Sequence, residues 1–401
     1  MANLYFFTEA RYLKMGNSIF NPSGVLKYDL FKRYLNIFNE LIIVARVQIA
    51  KDDDIAFCTE ENRVDGLNVS VYELPYFWGP IEYFKKKRAV SKIIQKIANN
   101  LNDKDRCILR VPGNIGDLTS KILKKKGINY YVEVVGDPFD VFSSGASNHR
   151  FRLIIKLLLY YSLKNTVKNA NGVCYITEMV LPQRYPASKN AFVNIISNVK
   201  LKNSDFINEI IKFDNSKVNI ELISIGSLEQ MYKSPDVVID AIAKLVTLNY
   251  SVHLTWIGEG KFKDSMVNYA QSKGVHNYVS FIGYVSNKQE LNKLLDASDI
   301  FVLVSRAEAQ GRAIIEAMAR GKIVIGSNVG GIPENVSPEF LVPKNDVNAL
   351  VNKILEVKAL NNIDRWQIRN LAKAKEYEET ILQVRRDIFL TKVLNDERKY
   401  L

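Results

Sequence analysis

A chain of 401 residues, 47% of them apolar, has material for two hydrophobic cores, because a single core stops growing beyond roughly 250–300 residues. Charged residues at 24% and aromatics at 10% exclude a disordered chain, and three scattered cysteines (Cys58, Cys107, Cys174) without a CxxC pair exclude a disulfide framework and a structural zinc site. The net charge of +12 is lopsided: residues 1–200 carry 29 Lys and Arg against 18 Asp and Glu, and residues 201–401 carry 26 against 25, so the basic excess sits in the first half and calls for an anionic partner.

Residues 4–7 read as a first strand. Glu9 and Arg11 follow too closely for a secretory signal, which together with the cysteine usage makes the cytoplasm the expected location. Gly16 and Asn17 occupy the loop after that strand. Apolar runs at 41–46, 107–111, 130–135 and 173–177 are expected to be buried strands alternating with helices. Asp52-Asp53-Asp54 reads as a solvated surface run. The stretch 151–161 is broken by Arg152 and Lys156 and falls short of the ~18 apolar residues of a membrane span. Residues 151–164 read either as a core helix with two solvated charges or, with the clusters Lys85-Lys-Lys-Arg88 and Lys124-Lys-Lys126, as a surface resting on anionic lipid headgroups at about 1 kcal/mol per basic residue. The basic residues form no module with interleaved stacking aromatics, so no nucleic-acid partner is expected.

The best domain boundary is 200–217. Beyond it the alternation restarts, with strands expected at 218–225, 252–257, 279–282, 300–304 and 323–326 and helices at 235–247, 261–273, 288–297 and 312–320. The chain then turns helical, at 347–358, 365–374 and 378–394. The pattern predicts an α/β protein of two tandem Rossmann-like, doubly wound parallel sheets, residues 1–200 and 201–380, with 381–401 as a last helix packing back on the first domain. Ligands of such sheets lie outside the carboxyl ends of the strands, so the cleft between the two domains is the expected site.

The most informative string is Ser305-Arg-Ala-Glu308-Ala-Gln-Gly311-Arg312-Ala-Ile-Ile-Glu316-Ala-Met-Ala-Arg-Gly321, followed by a strand and the turn Gly330-Gly331-Ile-Pro-Glu334. It reads as strand, loop, helix, strand, glycine turn, with Glu308 in the loop and Glu316 one and a half turns into the helix. Vicinal hydroxyls of a sugar and of a ribose each suit a carboxylate, and a diphosphate between them suits the N–H groups of a helix start, which Gly311 leaves open to close approach.

This string resembles the donor-site signature of the retaining GT-B glycosyltransferases of family 4, in which Ser-x-x-Glu-Gly-Phe-Gly leads to Glu-Ala-Met-Ala-x-Gly and a Gly-Gly-x-x-Glu turn. The resemblance implies a nucleotide-sugar donor, with Glu308 on the sugar and Glu316 on the ribose, and places Ser305, Gly311 and Arg312 in the donor site. It extends to Gly226-Ser227 through Lys233-Ser-Pro-Asp236, to Ile257-Gly258-Glu-Gly260 and to Phe281-Ile-Gly283-Tyr-Val285, which in the family supply the diphosphate contact, a loop near the phosphates and the base pocket. Ser227 stands where many relatives have a phosphate-binding arginine, leaving Lys233 as the main side-chain cation, and Ala309-Gln310 replaces Gly-Phe. In the first half, Arg110-Val-Pro, Glu133-Val-Val-Gly136-Asp137-Pro, Tyr175-Ile-Thr177-Glu178 and Gln183-Arg184-Tyr185-Pro186 look like a bacterial polysaccharide-assembly subgroup.

That likeness implies a lipid-linked (polyprenyl-diphosphate) glycan acceptor in capsule, O-antigen or exopolysaccharide synthesis, and a peripheral position at the inner face of the plasma membrane. A soluble sugar or sugar-phosphate acceptor and a catalytically silent nucleotide-sugar-binding protein are the other readings. Gly136-Asp137 stands where many members have a histidine, and His149, His253 and His276 lie elsewhere, so Asp137 is the catalytic-site candidate there, as a contact to donor sugar or acceptor or as a plain turn residue before Pro138. Gly16 and Asn17 either approach the donor phosphates or form a plain turn. No acidic pair sits in a metal-bridging loop, so no metal or cofactor is expected beyond a UDP- or GDP-sugar as substrate.

Overall fold

The computed structural model describes residues 2–23, 25–141, 152–211, 213–214 and 217–397. His149 and Phe151 lie outside them. The chain divides into two compact units: unit 1 is residues 1–136, 158–196 and 383–401, and unit 2 is residues 137–157 and 197–382.

Unit 1 is built on β1 (Asn3–Met15), β2 (Ser18–Phe20), β3 (Glu40–Ile49), β4 (Val69–Pro75), β5 (Arg106–Val111), β6 (Tyr131–Val134), β7 (Gly172–Tyr175) and β8 (Phe192–Ile195). Between them run the short α1 (Tyr28–Phe31), the long α2 (Gly79–Asn100) and α3 (Asn114–Lys125), the short α4 (Pro138–Val141), α5 (Arg152–Lys168) and the short α6 (Val180–Arg184). The sheet order is β4-β3-β1-β5-β6-β7-β8, parallel throughout except for β2, which folds back antiparallel on the end of β1. Strands β6 and β7 are buried at every residue, as expected of a sheet covered on both faces. The order runs outward from β1 in both directions, which makes the crevice between β1 and β5 a topological switch point.

Unit 2 carries β9 (Asn219–Ile225), α7 (Pro235–Thr247), β10 (Ser251–Ile257), α8 (Lys263–Ser272), β11 (Val279–Gly283), α9 (Lys288–Ala297), β12 (Ile300–Leu303), α10 (Arg312–Ala319), β13 (Ile323–Ser327), β14 (Leu341–Val342), α11 (Val347–Ala359) and α12 (Asp364–Lys375). Its six parallel strands are ordered β11-β10-β9-β12-β13-β14, the Rossmann order, with the switch point between β9 and β12. Local chemistry starts the helices: Asn287 Oδ1 accepts from the N–H groups of Gln289 and Glu290 at the head of α9, and Asp346 Oδ1 accepts from Ala349 at the head of α11. Ile314, Ile315, Met318, Ile323 and Ile325 are fully buried in the core.

The last helix, α13 (Glu379–Leu394), contributes Leu382 to the core of unit 2 and Phe389, Leu390 and Val393 to that of unit 1, where Phe389 meets Phe192 at 5.5 Å between ring centroids. α5 is not a core helix: Leu153, Ile154, Leu157, Leu158 and Tyr161 are exposed. Of its side chains, Leu163, Thr166 and Val167 are the buried ones, so the apolar stretch seen in the sequence faces solvent over its first two and a half turns. Among the described residues, no helix is long and apolar enough to cross a membrane.

Candidate active site

The loops after β9 and β12, at the switch point of unit 2, together with α10 hold seven of the twelve candidate residues. After β12, Ser305 is fully buried; its carbonyl accepts from Ser327 Oγ at 2.7 Å, while its own hydroxyl has no hydrogen-bond partner among the described residues. Arg306 then clamps this loop to the one after β9. Its guanidinium forms a two-pronged pair with Asp236 (2.9 and 2.6 Å) and donates to the carbonyl of Met231 (2.7 Å), while its N–H donates to the carbonyl of Tyr232 (2.7 Å).

The clamp sets Lys233 against Glu308: Lys233 Nζ pairs with Glu308 Oε2, both side chains being largely shielded from solvent. Ser234, in the left-handed region at φ 57, turns the chain from Lys233 into Pro235 at the start of α7. On the other side, the N–H of Gly331 donates to the carbonyls of Glu308 (3.3 Å) and Ala309 (3.1 Å), so the glycine turn after β13 holds the Glu308 loop from behind.

Gly311 begins α10 in the left-handed region (φ 78), with Arg312 exposed as the first helical residue. The first N–H groups of a helix have no partner within it and carry its positive dipole end, so this start is suited to an anion. Glu316, the fifth residue of α10, accepts from Lys288 Nζ at 2.9 Å. Lys288 is the first residue of α9, placed by the Asn287 cap. Glu308 and Glu316 therefore each stand paired with a lysine from another element of the unit.

The phosphate-loop candidates lie together. Gly258 N–H donates to Gly283 (2.8 Å), Gly226 N–H to Ile257 (2.9 Å) and Leu228 N–H to Glu259 (2.8 Å), which zips the loops after β9, β10 and β11 into one surface. Ser227 is exposed, but its hydroxyl is engaged locally, donating to Glu259 O (3.3 Å) and accepting from Glu229 N–H (3.2 Å). Val285 is half-buried just beyond β11 and packs against the core.

The remaining candidates lie on other elements. Asp137 is buried in the turn after β6, where its Oδ1 accepts from Phe139 N–H at 2.9 Å. Gly16 (φ 61) and Asn17 form the exposed two-residue turn of the β1–β2 hairpin in unit 1. His253 pairs with Ser280 Oγ at 2.9 Å on the sheet, and His276 is exposed. In the acidic run, Asp52 and Asp53 are exposed, and Asp54 Oδ2 accepts from Lys51 N–H at 3.0 Å.

Sequence reasoning missed Arg306, Asp236 and Lys288 as parts of the arrangement. Arg306 and Asp236 lie inside the quoted strings, but their pairing spans 70 residues and is settled by the adjacency of β9 and β12. Gln310, noted only as a departure, is buried and accepts from Ser197 Oγ at 2.8 Å, where an aromatic residue would have no such bond to make.

Two tandem Rossmann sheets with ligand-facing loops at their switch points define the GT-B class of glycosyltransferase. A sucrose-phosphate synthase from Thermosynechococcus elongatus has this architecture, superposing with a TM-score of 0.67 at 15% identity over 98% of this chain and 99% of its own. The chain belongs to the family of glycosyl transferases group 1, whose model matches residues 206–375. It is 30% identical to Protein CapJ of Staphylococcus aureus over 385 residues, 92% of this chain and 93% of that one. A shorter match, 30% over 112 residues (26% of this chain, 28% of the other), is to the UDP-Gal:alpha-D-GlcNAc-diphosphoundecaprenol alpha-1,3-galactosyltransferase of Escherichia coli.

Proposed function

We propose that this glycosyltransferase is a family 4 enzyme that moves a sugar, with retention of configuration, from a UDP- or GDP-sugar to a polyprenyl-diphosphate-linked glycan during surface-polysaccharide assembly. The observation that carries the reading is the Lys233–Glu308 pair beside the start of α10, with Glu316 further along that helix. A donor seated there meets Glu308 at its sugar, Glu316 at its ribose, and Lys233 with the α10 N–H groups at its diphosphate. The lysines now paired with the two glutamates are released to the ligand, so no charge is left buried without a partner.

Cleavage of the glycosyl–phosphate bond leaves a diphosphate with added negative charge and an oxocarbenium-like sugar, and fixed positive potential at the phosphates lowers that barrier. In front-face attack the acceptor hydroxyl enters beside the departing phosphate, whose oxygen takes the proton, and no separate enzymic base is required. With Lys233 and the helix start meeting the diphosphate, the reaction is expected to proceed in EDTA; activity lost in EDTA and restored by magnesium counts against this point.

The lipid-linked acceptor and a place at the inner membrane face are supported by the name of the Escherichia coli relative, by the basic first half, and by the exposed apolar residues of α5 and of the first turns of α2. The deciding experiment is nucleotide release from a panel of UDP- and GDP-sugars. Glu308→Ala and Lys233→Ala are expected to lower kcat by roughly 100-fold, the cost of removing one preorganised charge contact. Glu316→Ala is expected to raise the donor KM by about tenfold, the worth of one charge-assisted hydrogen bond. Wild-type turnover and affinity in folded Glu308→Ala or Glu316→Ala protein would overturn the reading.

A further inference from the structure

The Lys288–Glu316 pair joins two helices that are already held together without it. Arg320, at the end of α10, donates through its guanidinium to both oxygens of Asp296 in α9 (2.8 and 2.5 Å). Lys322 Nζ donates to the carbonyls of Asp296 (2.9 Å) and Ser298 (2.8 Å), and Leu291 and Leu295 bury the inner face of α9 in the core. The side chains of Lys288 and Glu316 are 34% and 25% exposed, and an ion pair so open to water adds little to stability. Lys288 is also the first residue of α9, where a cation opposes the helix dipole. Stability gives little reason for a lysine at this position, so its use is sought in a ligand.

The chemistry of the pair suits a hydroxyl. Among the described residues, the hydrogen bond of Lys288 Nζ is the one to Glu316 Oε2 at 2.9 Å, which leaves two of the three ammonium donors, and Glu316 Oε1, open to a ligand. A sugar hydroxyl both donates and accepts, so one inserted between an ammonium and a carboxylate satisfies both charges at once. A phosphate inserted there would meet the like charge of Glu316, and an apolar group would leave both charges without a partner. Glu316 lies four residues beyond Arg312, about 6 Å along the axis from the start of α10. With a diphosphate at that helix start, the interval is filled by one furanose ring whose vicinal hydroxyls face the pair.

We propose that Lys288 is a ribose-reading residue: its ammonium donates to a hydroxyl of the donor's ribose while that hydroxyl donates to Glu316, and the pair thereby selects a ribonucleotide over a deoxyribonucleotide. This rests on the proposed donor-site reading, in which Glu316 meets the ribose, and adds to it Lys288 and the selection it brings. Lys288 touches no reacting atom, so its effect falls on donor binding and not on the chemical step.

The test is calorimetric binding of UDP and GDP, each beside its 2′-deoxy and 3′-deoxy forms, to the full chain and to its Lys288→Met, Lys288→Arg and Glu316→Gln variants. For the nucleotide that binds more tightly, the wild type is expected to prefer the ribose form over at least one deoxy form by about tenfold, the worth of one charge-assisted hydrogen bond. Lys288→Met should reduce that preference to about twofold or less by weakening the ribose form alone, and Lys288→Arg, which keeps a cationic donor, should restore most of it. With a sugar donor that the full chain turns over, Lys288→Met should raise KM several-fold at unchanged kcat. Its melting temperature should stay that of the wild type, because Arg320, Lys322 and the buried leucines still hold α9.

A plain attraction of the lysine for the diphosphate would weaken ribose and deoxy forms alike, and that result overturns the proposal. So does a wild type that binds ribose and deoxy forms equally, or a preference undiminished in Lys288→Met. Nucleotide binding weakened by Glu316→Gln and untouched by Lys288→Met removes Lys288 alone and leaves the donor-site reading standing. Nucleotide binding indifferent to Glu316, or no nucleotide binding at all, removes the donor-site reading and the role of Lys288 with it.

Discussion

Gly258 shows how little room the donor loops leave. It sits at φ 144, and a Cβ there would be driven into the carbonyl of Gly226, part of the chain that zips the β9 and β10 loops together. Gly258→Ala is therefore expected to cost about 1–3 kcal/mol of stability through strain at a position reserved for glycine, and to raise the donor KM as the Gly226 and Ser227 backbone shifts. Urea melting read beside donor kinetics checks this, and an unchanged midpoint with unchanged KM contradicts it. At this scale the sequence was partly legible. Glu308, Gly311 and Glu316 lie in one local string and could be found by spacing, whereas Lys288 sits in a segment with no motif, and its pairing with Glu316 follows only from where the Asn287 cap starts α9. Gln310 was legible as a departure but not as a partner of Ser197, since nothing local links two residues 113 apart.

Secondary elements with continuous apolar runs were readable because a strand in a doubly covered parallel sheet buries both faces; β12, with residues 300–303 all buried, is one such case. Elements that break this pattern were not. β8 is only partly buried at the sheet edge, and α2 has Ile81 and Phe84 turned to solvent, which blurs the apolar stripe by which an amphipathic helix is recognised. That same irregularity carries a prediction. Trp78, Ile81 and Phe84 recur every three residues, on one side of the head of α2, and Lys85, Lys86, Lys87 and Arg88 are exposed immediately after them. Apolar wedges next to a basic cluster suit an anionic bilayer, each cation adding about 1 kcal/mol near the surface. Sedimentation with vesicles containing anionic lipid should pellet the wild type, with neutral vesicles far less. Ile81→Ser/Phe84→Ser is expected to lower the bound fraction several-fold at unchanged melting temperature, because neither side chain is buried. Equal sedimentation with the two vesicle types would remove the membrane from the proposal.

At the scale of the molecule, the chain does not pass once from one unit to the other: residues 137–157 cluster with unit 2, and residues 383–401 return to unit 1. That partition depends on tertiary contacts that no local pattern encodes, and the core of unit 1 shows it best. Phe389, Leu390 and Val393 are all but fully buried there, Arg106 donates to the carbonyls of Val393 (3.0 Å) and Leu394 (2.9 Å), and Asn194 donates to the carbonyl of Arg385 (2.9 Å). Removing residues 383–401 strips three apolar side chains, each worth roughly 1.5–3 kcal/mol, from a unit whose whole stability is of the order of 5–15 kcal/mol. It also leaves the Arg106 guanidinium and the Asn194 amide without those acceptors. Unit 2 keeps its core, including Leu382, and every loop that holds Lys233, Glu308 and Glu316. Calorimetry of the chain ended at Leu382 should therefore show the transition of unit 1 lost or moved far down in temperature. The transition of unit 2 should remain and still rise when a UDP- or GDP-sugar that the full chain turns over is added, since a ligand stabilises only the fold that binds it. A truncated chain that keeps both transitions would mean that α13 adds little to unit 1, and loss of the nucleotide-dependent shift would mean that the donor site needs more than unit 2.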